Sequence, residues 1–195
     1  QLTLPGRPRR ARVILRAHGA HNLSNALAAA AVGQCLAMSG AVIAQGLARF
    51  RPATMRSQVS RWRGIRIIND CYNANPASMK AAIDLLIHLG SGSRTIAVLG
   101  DMLELGPQSL ALHREVGIYL ARRGVTYLVA CGALGLGLAE GAREAGMASD
   151  RVREAPDAVA AAAILQTLVR AGDVVLLKAS RGVRMERAID ALTRG

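Results

Sequence analysis

Between Gln58 and Lys178 the chain alternates short apolar runs with longer segments whose apolar residues recur at helical spacing. That alternation constrains the fold more than any other feature. Strands are expected at residues 58–62, 65–69, 95–99, 126–130, 151–154 and 174–178, most of them apolar, and helices at 77–89, 108–123, 134–145, 156–170 and 185–192. Mostly apolar strands separated by helices imply an α/β fold, a largely parallel sheet covered on both faces. Right-handed crossovers then gather the loops that follow the strands along one edge. Pro156 at a helix start and Asp157 in its first turn are opening signals for the fourth of these helices.

In open α/β sheets that edge is where ligands bind. Two of its loops are rich in small polar residues. One is Asp70-Cys71-Tyr72-Asn73-Ala74-Asn75-Pro76, which runs from a strand into a helix. The other, Gly100-Asp101-Met102-Leu103-Glu104-Leu105-Gly106, repeats the arrangement. Asp70 can accept hydrogen bonds from two vicinal hydroxyls such as a ribose presents, and Tyr72 can lie against a base. Asn73 and Asn75 either shape the loop or bond a ligand, and Asn75-Pro76 is also ordinary turn chemistry. Asp101 and Glu104 could receive an ammonium group or cap the next helix. His113 could help position a ligand, but it reads rather as a partly exposed helix residue.

The sheet is Rossmann-like without the dinucleotide fingerprint. No Gly-x-Gly-x-x-Gly follows its first parallel strand, and Gly132-Ala133-Leu134-Gly135-Leu136-Gly137 has the wrong spacing. Those glycines read as turn and packing residues, and NAD is not expected.

Upstream, Leu2-Thr3-Leu4 and Val13-Ile14-Leu15 suggest two strands around Pro5-Gly6. A helix is expected over the apolar run Ala26 to Met38, capped by Asn22 or Ser24 and ended by Gly40, with a shorter helix over residues 41–50. Residues 50–57, with Pro52 and no periodicity, read as an interdomain linker.

The net charge of +12 raises the question of nucleic acid. The arginines are scattered, however, and with 3% aromatic residues there is little surface for base stacking. No nucleic-acid partner is expected, and an anionic nucleotide substrate suits the same charge. Cys35, Cys71 and Cys131 lack paired spacing, which excludes a zinc knuckle or disulfide framework; Cys35 and Cys131 read as buried apolar fillers. The four histidines show no metal-ligand spacing. No uninterrupted run of 18 apolar residues occurs and no signal-peptide pattern opens the chain, so no membrane insertion is expected and the chain reads as soluble and cytoplasmic.

Residues 70–76 with Ser78-Met79, and Val98 to Gly106, resemble the C-terminal domain of the MurF-type Mur ligases, the ATP-dependent enzymes that add D-alanyl-D-alanine to UDP-MurNAc-tripeptide in peptidoglycan synthesis. Lys178-Ala179-Ser180-Arg181-Gly182 is similar to the family's Lys-Gly-Ser-Arg-Gly segment, with Ala179 for the usual glycine. Gly19, His21, Asn22 and Asn25 match its Gly-x-His-Asn-x-x-Asn motif. The resemblance implies two domains: residues 1–52 as a helical remnant of the central P-loop ATPase domain, and residues 53–195 as the Rossmann-like C-terminal domain. It also implies ligase chemistry in cell wall biogenesis, through an acyl phosphate attacked by the dipeptide amine.

By the same resemblance, ATP would meet His21, Asn22, Asn25, Asp70, Tyr72, Asn73 and Asn75. Arg56 would be the catalytic arginine reaching the phosphates, although Ala53-Thr54-Met55-Arg56 departs from the usual Pro-Gly-Arg and Arg51 is nearby. Asp101, Glu104, Ser180 and Arg181 would hold the dipeptide. No Gly-x-x-Gly-Lys-Ser/Thr run is present, so Mg2+ would take its ligands mostly from upstream, no metal ligand is assigned here, and the chain alone is expected to be inactive. The full-length enzyme is expected to be a monomer. The alternatives are a non-catalytic Rossmann-like binding module, or another Mur or folylpolyglutamate-synthase-like ligase.

Overall fold

Trp62-Arg63-Gly64-Ile65 turns a hairpin, with both central residues at positive φ (45° and 80°), the geometry that matches the twist of two antiparallel strands. It joins β1 (Gln58–Trp62) to β2 (Ile65–Asn69). In the computed structural model, which describes residues 12–17 and 19–194 without the side chains of residues 20 and 21, all later strands run parallel to β2. These are β3 (Thr95–Gly100), β4 (Tyr127–Cys131), β5 (Val152–Ala155) and β6 (Val174–Lys178). The sheet order is β1-β2-β6-β3-β4-β5, so the last strand is inserted between β2 and β3. The expected α/β class and mostly parallel sheet are what the structure has.

Alternation along each strand builds two cores. Ile68, Ala97, Leu99, Leu128 and Leu176 face α3 (Pro76–Leu89), α4 (Ser109–Arg122) and α5 (Gly135–Glu144). Ile67, Ile96, Val98, Val129, Val175 and Leu177 face α6 (Ala158–Leu168) and α7 (Glu186–Arg194). Each such aliphatic side chain, fully buried, contributes roughly 1.5–3 kcal/mol. α4 and α5 pack unusually close. A Cβ on Gly117 would lie 2.1 Å from the Leu138 carbonyl oxygen, and one on Gly141 2.1 Å from that of Arg114.

Two expectations about helix starts need correction. α6 begins at Ala158, and Asp157 is its cap rather than a first-turn residue: its carboxylate accepts from Val159 and Ala160 N–H. Upstream, α1 (Ala20–Cys35) starts at Ala20 with Gly19 at its N-cap position, so Asn22 and Ser24 lie inside the helix rather than at its cap. α2 (Gly40–Arg49) is capped by Ser39. Residues 13–15 form no strand, and residues 2–4 lie outside the described residues. Cys35 is exposed rather than a core filler, whereas Cys71 and Cys131 are buried.

By their contacts the residues divide into two units, one ending at Ala53 and the other starting at Thr54, against an expected boundary between 52 and 53. Among the described residues no helix is long and apolar enough to cross a membrane.

Candidate functional site

β6 makes the sheet's crevice. β2 and β3 continue into α3 and α4 in one core, while β6 between them continues toward α7 in the other. Neighbouring strands whose connections leave toward opposite faces open a gap at their carboxyl ends, and that gap is where α/β sheets take ligands. Here it opens on both sides of β6, bordered by the loops that carry Asp70, Asp101 and Ser180.

The Asp70 loop is held from three directions. Its backbone N–H donates to Leu177 O (2.9 Å). Its carboxylate accepts from Lys178 Nζ through Oδ2 (2.6 Å), and from Ser57 N–H (2.7 Å) and the Ser57 hydroxyl (3.3 Å) through Oδ1. Tyr72 N–H donates to Met55 O (3.2 Å), and the Arg56 guanidinium lies over the Tyr72 ring, 4.1 Å from its centre. Tyr72 is 44% exposed, so an aromatic surface and a cation stand together at the crevice mouth. Asn73 accepts from Ala74 N–H, whereas Asn75 caps α3 in a reciprocal bond pair with Ser78. Asn75 therefore does the turn work that its Asn-Pro setting allowed, a cap contributing about 1 kcal/mol.

Ser180 joins the other two loops. Its hydroxyl accepts from Leu103 N–H (3.0 Å) and donates to Ala74 O (3.4 Å), and the residue is buried. Asp101 accepts from Leu134 N–H (3.0 Å) through Oδ1, and its carbonyl accepts from Ser180 N–H (3.0 Å). Both residues are thus engaged in holding loops together. Glu104 and Arg181 are exposed at the same edge; Arg181 pairs with Glu186 Oε1 (2.7 Å) and donates to Met55 Sδ (3.6 Å).

The roles of three residues at this edge escaped sequence reasoning. Lys178 is a lysine closing an otherwise apolar strand, 2% exposed. Glu186 follows the Ser180-Arg181 segment, and its Oε2 is buried without a partner. His113 is fully buried rather than partly exposed: its Nε2 accepts from Met102 N–H (2.8 Å) and its Nδ1 donates to Ser109 O (2.6 Å). An all-apolar strand ending in lysine was a visible signal; the other two had none.

Backbone strain collects at the same edge. Met55, Ser57, Glu104 and Arg184 all have φ between 48° and 64°, left-handed values that cost non-glycine residues energy and gather at functional sites. Cys71, beside Asp70, is no nucleophile. Burial, then Glu186 and Asp70, push its thiol up to about 12. Among the described residues no group of His, Cys, Asp or Glu could hold a metal ion.

The first unit carries its own cleft of about 330 Å³, lined by Asn22, Asn25, Ala29, Gly33, Ile43 and Phe50 among others. Asn22 and Asn25 both line this cavity. The His21 side chain lies outside the described residues.

Comparison with known proteins follows the same lines. The family model described as "Mur ligase, glutamate ligase domain" matches residues 55–181. The chain is 36% identical over 175 residues to the UDP-N-acetylmuramoyl-tripeptide--D-alanyl-D-alanine ligase of Bacillus subtilis, covering 89% of this chain and 38% of that enzyme. A crystal structure of MurF from Acinetobacter baumannii superposes with a TM-score of 0.83 at 29% identity, over 94% of this chain and 39% of that one. MurF from Thermotoga maritima, solved in complex with ADP, gives 0.75 at 28%, over 91% and 39%. The chain therefore spans about two fifths of the length of the relatives it matches. Matched to the family model from just before β1 to just past β6, this chain belongs to the Mur ligase family.

Proposed function

We propose that this chain is the C-terminal portion of an ATP-dependent, amide-forming ligase that adds D-alanyl-D-alanine to UDP-MurNAc-tripeptide in the cytoplasm. The observation that carries the reading is the crevice flanking β6, where Asp70, Tyr72, Arg56 and Arg181 stand at the meeting of three loops. The residues fit a nucleotide. Tyr72 offers a half-exposed ring for a base, Asp70 a fixed carboxylate for a ribose hydroxyl, and Arg56 a guanidinium for phosphate oxygens. ATP would supply the phosphoryl group that activates the tripeptide carboxylate.

Arg181 and Glu104, exposed at the same edge, supply the charges for the two ends of a dipeptide, since a guanidinium grips a carboxylate with two N–H groups. Ser180 and Asp101 serve by keeping the loop between β3 and α4 in place. Within the first unit, Asn22 and Asn25 offer the paired amide donors and acceptors that suit an adenine edge. Mg2+ would draw its ligands from outside this stretch. The full-length enzyme is read as a monomer, with no membrane insertion.

The test is ADP binding to the intact 195-residue chain, followed by ligand-observed NMR. Saturable binding weakened by Asp70→Asn supports the reading, and binding indifferent to that change refutes it. The same chain, supplied with ATP, Mg2+ and both substrates, is expected to form no ligation product, because it contains no phosphate-binding Gly-x-x-Gly-Lys-Ser/Thr loop.

A further inference from the structure

Lys178 is the last residue of the central strand β6, whose four preceding residues are all buried and apolar. Its ammonium donates to Asp70 Oδ2 (2.6 Å) and to the Asn73 carbonyl (2.7 Å). The lysine side chain is 3% exposed and the aspartate 14%. Stability alone gives little reason for such a pair. Two buried charges lose hydration that their attraction only about recovers, and apolar replacements of similar volume are often as stable or more so. What the pair does provide is position.

Asp70 follows β2 and Asn73 lies in the same loop, so one ammonium fixes the loop at two points. Ser57 holds the other carboxylate oxygen, its N–H and hydroxyl both directed to Oδ1. An ionised carboxylate has about four acceptor positions. Oδ2, engaged among the described residues by Lys178 alone, is therefore the oxygen with capacity for an incoming hydroxyl.

We propose that Lys178 is a positioning residue of the nucleotide site, acting through Asp70 by setting the direction in which Oδ2 meets a sugar hydroxyl. This rests on the nucleotide reading given above. It adds a residue whose effect on binding exists only while Asp70 is present. A lysine that merely supported the fold would affect binding whatever stood at position 70.

A double-mutant cycle on ADP affinity separates the two. Lys178→Met, Asp70→Asn and the double variant are titrated with ADP in the intact chain, each checked for folding by thermal melting. Lys178→Met alone is expected to weaken ADP at least about 10-fold, the scale of a hydrogen bond to a charged group. In the Asp70→Asn background the same change is expected to alter affinity less than about 2-fold. Should Lys178→Met not fold, Lys178→Gln, which keeps an N–H donor, takes its place in the cycle. Equal losses in both backgrounds, or no loss in either, overturn the role of Lys178 and leave the nucleotide reading standing. Wild-type chain that does not bind ADP brings down both.

Discussion

The guanidinium of Arg56 covers one face of the Tyr72 ring at 4.1 Å. It does so from a segment whose neighbours on either side, Met55 and Ser57, are both held at positive φ. The stack therefore fastens a strained piece of backbone to the loop that follows β2. An exposed cation–π contact contributes about 0.5–1 kcal/mol, so Tyr72→Leu should raise the population of a loosened segment about 2- to 5-fold. Trypsin cleavage after Arg56, followed by mass spectrometry, should accelerate by that factor. An unchanged rate would show that Ser57 and Asp70 hold the segment unaided.

His113→Leu should destabilise the domain by about 2–3 kcal/mol, because a buried Met102 N–H would lose its acceptor. Urea denaturation measures this directly. His113→Gln, which can still present an acceptor, should recover part of the loss.

Gly141→Ala should cost about 3 kcal/mol or more, since the added methyl would meet a backbone carbonyl that cannot swing aside. Gly146→Ala tests a different mechanism. Nothing lies within 4 Å of its would-be Cβ, so only its φ of 92° opposes the change. A smaller loss is expected there, and thermal melts of the two variants compare them.

The thiols should respond to alkali in a defined direction. Burial is the first cause raising Cys71 and Cys131 from 9.0 to about 12 in the folded protein. The folded state therefore keeps protons that the unfolded chain gives up, and their stabilising effect is complete below pH 9 and fades as pH rises toward 12. Replacing both by alanine should flatten the stability profile over that range. At pH 8 a thiol reagent should modify exposed Cys35 quickly and the other two only after unfolding.

The strand and helix rhythm was legible because each element carries its own period, and β1, β2 and β6 have the bounds expected of them. Asp70 stood out because a carboxylate directly after a strand is conspicuous, and Arg181 through the resemblance of residues 178–182 to the family segment. What local pattern could not carry was the pairing. Lys178 and Asp70 are separated by 108 positions, and nothing near either names the other. His113 was misjudged for the same reason: its acceptor role depends on an N–H eleven residues earlier that the loop folds back to present. Asn22 and Ser24 looked like caps because their chemistry suits one, but the helix begins at Ala20, before the chain reaches them.

The place of β6 has a consequence for how the domain is made. β2 and β3 share no ladder of their own; each is bonded to the strand that the ribosome delivers last. Until residue 178 has emerged, the growing polypeptide can hold only a hairpin on one side and the β3-β4-β5 ribbon on the other, with the crevice unformed between them. Pairings so distant in sequence close slowly, and a nascent chain halted a few codons early would be left with two open seams, each ready to recruit a strand from a neighbour.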